Sequence, residues 1–162
     1  MDKASEDSWE IFNYFRTLAI KEGFWTKLVL IRSSSIHDGN LDQFSGFLHQ
    51  DYALLENGSE QVLFVHGNKI GIDPAIVKSG SPEIAAQQAK KDLVKHGRQW
   101  LPNISSDIHL VIGHLHYRFF NERIRVYGLG HWTSKGKERH QKCFMIIDST
   151  NELDSLQLQT YS

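Results

Sequence analysis

Between Ser5 and Gly23, Ile11, Phe12, Phe15, Leu18 and Ala19 recur at three- and four-residue intervals. That spacing lines up one side of a helix. Ser5 suits the N-cap, Glu6 and Asp7 suit the positive end of the helix dipole, and Gly23 suits the stop. The run "FWTKLVLIRSS" over 24–34 reads equally as helix or strand. "HDGN" breaks the chain at 37–40, and "LDQFSGFLH" predicts a short helix with Leu41, Phe44 and Leu48 on one side. Two apolar runs, Tyr52 to Leu55 and Val62 to His66, flank Asn57 and Gly58 and predict a hairpin, with a further turn at Gly67-Asn68. Ser81 as cap, Pro82 in the first turn, Glu83 behind it and Gly97 as the stop frame the best-marked helix of the chain.

The last third changes period. "DIHLVIGHLHYRFF" predicts one long strand over 107–120, Asn121 and Glu122 a turn, and "RIRVYGLGHWT" the returning strand. "HQKCFMIID" and "LDSLQLQTY" extend an antiparallel meander. If Phe120 pairs with Arg123, Gly113 falls opposite Gly130, and two facing glycines allow a sheet to bend sharply. Alternation then places Val111, Leu115, Tyr117, Phe119, Ile124, Val126 and Trp132 on the apolar, helix-facing side. His114, His116, Arg118, Tyr127, Leu129 and His131 take the other side.

Composition narrows the class. With 162 residues, 40% hydrophobic and 23% charged, the chain has the make-up of one soluble globular domain spanning 1–162. The opening "MDKASEDSWE" lacks a basic stretch leading into an apolar run, and "LVLI" is far too short to cross a bilayer. The expectation is a cytoplasmic protein with no membrane partner. Cys143 is the single cysteine, so no intrachain disulfide can form. Net charge is near zero but uneven: residues 88–142 carry eleven Lys and Arg against four Asp and Glu. That surplus could favour an anionic ligand, but Lys and Arg at turns of a solvated face account for it more simply than nucleic acid does. No phosphate-cradling glycine loop or nucleotide-binding fingerprint occurs.

In the order of its elements the chain resembles the nuclear transport factor two-like superfamily, which includes polyketide cyclases and ketosteroid isomerases. "NLDQFSGFLHQDYALLENG" and "VHGNKI…SPEIAAQQA" carry the resemblance, which spans most of residues 5–160. It implies an α+β cone: a curved antiparallel sheet wrapped by N-terminal and central helices around an internal pocket, usually in a homodimer. It further implies a small apolar ligand, acid–base chemistry with no cofactor, Tyr14 as hydrogen-bond donor and Glu56 as base. Trp25, Phe44, Tyr117 and Trp132 would line the pocket. The second oxyanion donor of the isomerases is an acid on a late strand, and this chain has Cys143 in that region.

The histidines His114, His116 and His131 allow three readings. Histidines on adjacent strands can converge on a metal, and "HLHYRFFNE" superficially matches the cupin pattern, although Glu122 falls in the turn. A nucleic-acid nicking site would need a tyrosine on a following helix, and here a strand follows. The third reading is a polar dimer face. The expected function is binding a small apolar molecule in the pocket, with isomerisation, dehydration or cyclisation as the chemistry if the protein is an enzyme. The alternatives are a non-catalytic dimeric interaction module using the basic, His-rich sheet face, and a metal-binding protein.

Overall fold

The computed structural model of the chain describes residues 13–23, 29–31, 48–57, 60–72, 81–96, 101–113, 117–129, 143–146 and 157–160. Helix α1 covers 13–21. It ends where the sequence predicts: Gly23 takes φ 75°, and its N–H bonds back to the Ile20 carbonyl at 3.2 Å. A left-handed glycine closes a helix without a Cβ clash. Ala19 is fully buried, but Phe15, expected on the buried stripe, is 43% exposed. The ambiguous run 24–34 contains a strand, β1 (Val29–Ile31), paired in parallel with β2 (Leu48–Gln50). Leu48 and His49 therefore lie in a strand and not in the expected short helix. Periodicity cannot separate the two for so short an apolar run, and tertiary pairing decides.

The predicted hairpin is present. β3 (Tyr52–Asn57) and β4 (Glu60–His66) pair antiparallel from Tyr52↔Val65 to Asn57↔Glu60. A 3-10 turn, Gly67–Ile70, follows, and then α2 (Pro82–His96). The amides of Ile84 and Ala85 bond to the Ser81 carbonyl at 3.0 and 3.2 Å, so Ser81 opens the helix as expected. Ala86, Ala89 and Leu93 form its buried stripe.

The final third departs from the meander. The predicted strand over 107–120 is two strands, β5 (His109–Gly113) and β6 (Phe119–Asn121). β7 (Val126–Gly128) lies between them, parallel to β5 and antiparallel to β6. β4 and β5 are also parallel, joined through α2. The five-stranded sheet thus has the order β3-β4-β5-β7-β6 and is mixed, not antiparallel. β8 (Cys143–Ile146) and β9 (Gln157–Thr160) pair antiparallel in a separate ladder.

The expected two-residue turn at Asn121 and Glu122 is a four-residue turn over 122–125. The Asn121 side-chain oxygen accepts from the Ile124 amide at 3.3 Å, and Arg125 N–H bonds to the Glu122 carbonyl at 3.1 Å. Pairing therefore starts at Asn121↔Val126, and Gly113 sits beside His66, while Gly130 lies outside the described residues. The glycine that matters is Gly128. A Cβ there would collide with the Phe119 ring and lie 2.8 Å from the Tyr117 carbonyl oxygen.

The sheet has two apolar faces. Leu63, Val65, Leu110, Ile112, Val126 and Phe119 pack with Ala86, Ala89 and Leu93 of α2 in the larger core. Val62, Val111 and Tyr127 cluster on the other face with Phe64, Phe120 and Leu129. Phe119, Ile124 and Val126 are thus on the helix side, as expected. Val111 is not, because the chain is interrupted between β5 and β6 and the alternation does not carry across. The fold is α+β.

Candidate ligand-binding site

Three parallel strands, β4, β5 and β7, end at one edge of the sheet, at His66, Gly113 and Gly128. His66 pairs with Gly113 and Ile112 with Gly128, and the Leu129 amide continues the ladder onto the Ile112 carbonyl at 3.0 Å. Carboxyl ends of adjacent parallel strands are where open sheets tend to bind ligands, because the chain must leave the sheet there and opens a crevice. A cavity of about 180 Å³ lies at this edge, on the face turned away from α2. Phe64, Val111, Leu129 and Ile31 supply its apolar walls, and among the described residues His66 is the one polar side chain lining it.

Parallel pairing accounts for that lining. β5 is fully buried from His109 to Ile112, so its alternate residues serve both faces. Leu110 and Ile112 face α2, and Val111 faces the cavity. The His66 Cδ2 lies 3.8 Å from where a Cβ on residue 113 would stand, an ordinary van der Waals distance.

The imidazole is held from behind. His66 Nδ1 lies 2.6 Å from Asn68 Oδ1. An amide oxygen only accepts, so Nδ1–H donates, and Nε2 of the neutral ring is the acceptor nitrogen. Asn68 belongs to the 3-10 turn that follows β4. A further tie, Lys69 Nζ to Asp51 Oδ1 at 3.1 Å, fastens this turn to the start of β3. Both side chains of that pair are partly exposed, so its contribution is small.

Behind the apolar wall, on the same face, His109 and Tyr127 stack with ring planes 9° apart and share a 2.9 Å hydrogen bond between Nδ1 and the phenol oxygen. Tyr127 is 1% exposed. Burial, with the charge of Glu122 adding to it, raises its pKa to about 12, against the smaller opposing pull of Arg125. The phenol therefore stays protonated at neutral pH.

Of the expected site residues, the described ones, Tyr14, Glu56 and Tyr117, are not at this edge. Tyr14 is 67% exposed on α1, edge-on to Phe15. Glu56 is an exposed residue of β3 whose Oε1 accepts a 2.8 Å bond from Gln61 Nε2. Neither lines the cavity. Tyr117, expected on the buried side, is 47% exposed. Trp25, Phe44, Trp132, His114, His116 and His131 lie outside the described residues. Among the described residues no group of three or more His, Cys, Asp or Glu side chains could hold a metal ion, and no helix is long and apolar enough to cross a membrane.

Comparison with protein-family models, curated proteins and solved structures returns no match. His66 and Asn68 were the residues that sequence reasoning passed over. The signal was the text "VHGN", a polar residue closing an apolar strand just before a turn. Its meaning depends on β4 being parallel to β5, which the strand's own sequence does not reveal.

Proposed function

We propose that the protein binds a small, largely apolar molecule carrying one hydrogen-bond donor in the cavity at the carboxyl edge of β4, β5 and β7. The observation that supports this reading is the lining itself: apolar walls from Phe64, Val111 and Leu129 with a single imidazole among them. Binding sites for small molecules commonly combine apolar walls with a few placed polar groups. His66 Nε2 is the group to accept the ligand's donor, and any proton transfer falls to the same imidazole, with no cofactor required. This keeps the ligand class expected from the chain's resemblance but assigns its recognition to His66 in place of Tyr14 and Glu56.

Toluene and p-cresol test the assignment, since they differ by one hydroxyl and suit a cavity of this volume. Binding to the purified protein is followed by NMR titration. In His66→Phe, p-cresol should lose about three- to tenfold in affinity, the worth of one hydrogen bond, while toluene keeps its own. Leu129→Phe, which fills the cavity, should abolish binding of both. If Leu129→Phe binds them as well as the parent protein, the site is elsewhere.

A further inference from the structure

On the opposite face of the sheet from that cavity, α2 and the turn over 122–125 form the two walls of a groove. One part of it is a cavity of about 390 Å³, lined among others by Lys90 and Lys91 from the helix and by Arg123 and Arg125 from the turn. An adjoining cavity of about 550 Å³ shares Gln87, Arg123 and Ile124 with it. Both volumes fall in the range of sites for metabolites. We propose that this groove is a binding site for a small phosphate-bearing anion, held by Lys90, Lys91, Arg123 and Arg125.

Charge balance is the first argument. Four cationic side chains line the 390 Å³ cavity with one carboxylate, Asp107, and among the described residues no ion pair joins any of the four to a carboxylate. Like charges gathered in a partly dry groove repel one another, and a bound anion relieves that repulsion. Lys90 already registers it. Burial first and the Arg125 guanidinium second bring its pKa down to about 8, with Asp107 pulling the other way.

Geometry is the second argument, and it is independent of titration. Lys90 Nζ donates to the Ile124 carbonyl at 2.8 Å, and Arg125 Nη1 donates to the Asp107 carbonyl at 3.1 Å. These bonds hold Lys90 to the turn and the turn's Arg125 to the segment leading into β5, while Lys91 and Arg123 are exposed. Arg125 also holds φ at 52°, in the left-handed region that costs energy for any residue with a side chain. Glycine would sit there freely, yet the position carries a guanidinium. Its carbonyl accepts from the Leu110 amide at 2.9 Å, so the strained residue is tied to the central strand β5 at the start of β7. Arginine forks match phosphate oxygens two at a time, and lysine adds point charges.

A compact anion fits better than a polymer. Carboxylates stand in both adjoining cavities, Asp107 in one and Glu83 in the other. They would repel a phosphodiester backbone running along the groove, whereas a single phosphorylated molecule can sit between the cations and avoid them.

Calorimetric titration of the full chain with sodium pyrophosphate at low ionic strength tests this, alongside the double variant K91Q/R123Q. Both replaced side chains are exposed, so the fold should survive, and circular dichroism checks that it does. The expected result is saturable one-to-one binding that weakens about tenfold or more in the double variant, the loss of charge-assisted contacts. NMR of the Lys90 side chain should show its titration moving upward from about 8 when the site is full. No saturable binding, or equal binding by both proteins, overturns the proposal. So does a single-stranded oligonucleotide that binds more tightly than pyrophosphate with a steep salt dependence, the mark of many phosphate contacts.

Discussion

The two faces of the five-stranded sheet are built from neighbouring residues of the same strands, yet they are organised differently. The face under α2 is a closed core in which Leu63, Leu110, Ile112 and Val126 are each fully buried. Its one buried polar residue among the described residues, Gln61, is completely bonded. Its amide nitrogen donates to Glu56 Oε1 at 2.8 Å and to the Asn103 carbonyl at 2.9 Å, and its oxygen accepts from Ser105 N–H at 2.7 Å. The other face interleaves Val62, Val111 and Phe64 with His66, His109 and Tyr127, and leaves a cavity open. Aliphatic packing with saturated polar groups makes a scaffold. Aromatic and imidazole groups around unfilled space make a place where something else can sit.

The sharpest way to break this contrast is to cut one side chain from each face. Leu110→Ala removes a fully buried leucine from the α2 core and should cost about 2–5 kcal/mol. Leu129→Ala, at a half-buried position beside a cavity that already exists, should cost about 1 kcal/mol or less. Urea unfolding followed by fluorescence measures both. Equal losses would mean that the two faces are packed alike and that the cavity has no special standing.

Gln61→Leu comes next. The substitution keeps the volume but strips bonds from the Asn103 carbonyl and the Ser105 amide, which hold the loop leading into β5. A cost of about 2–3 kcal/mol is expected from groups left unsatisfied. Hydrogen exchange at the Ser105 amide should accelerate well before the rest of β5 does. Unchanged protection at Ser105 would show that Gln61 does not anchor the loop.

How much of this contrast could be read from the sequence depends on how local each feature is. The left-handed close of α1 at Gly23, the β3–β4 hairpin and the Ser81-Pro82 start of α2 are encoded within a few residues, and the structure has them. The parallel pairing of β4 with β5 is not local: residues 62 and 109 meet only because α2 crosses between them. The run 107–120 contains no Pro or Asn and reads as one strand, and no turn residue within 114–118 marks the interruption. That single break places β7 beside β5, turns Val111 away from α2 and brings the ends of three parallel strands together. His66 could not be recognised as a site residue without it. Tyr14 and Glu56, by contrast, were drawn from the expectation of a cone-shaped pocket, and both are exposed.

Titration separates the faces by opposite signs. Lys90, on the α2 side, has a folded pKa of about 8 against its usual 10.5, so the unfolded chain holds that proton more tightly. Stability should therefore rise between pH 8 and 10.5 by about 2 kcal/mol, after discounting for the part of the side chain that water reaches. Tyr127, on the cavity side, titrates at about 12 against 10.0, so the folded chain holds its proton longer. Its contribution is fully present below pH 10.0 and is lost, again by about 2 kcal/mol, as pH climbs to about 12. The two together put a stability maximum near pH 10. Lys90→Met should flatten the rising limb and Tyr127→Phe the falling one, each leaving the other limb in place. A profile in which either substitution alters both limbs would mean that the two faces are electrostatically one unit.

The smallest expected effect belongs to Glu56→Gln. Its carboxylate is exposed and its described role is to accept one bond from Gln61, which a glutamine oxygen can also do. The stability change should stay within about 0.5 kcal/mol. The measurement is informative because Glu56 stands across the ladder from Gln61, well along β3 from the edge where His66 sits. If p-cresol binding in Glu56→Gln matches the parent protein while His66→Phe loses it, the polar group that recognises the ligand is the imidazole. A loss of binding on replacing Glu56 alone would reverse that assignment and restore the carboxylate as the base. A side chain whose partner is another side chain of the same hairpin is then not evidence of scaffold alone, and the division between the two faces would have to be redrawn through the bond between Glu56 and Gln61.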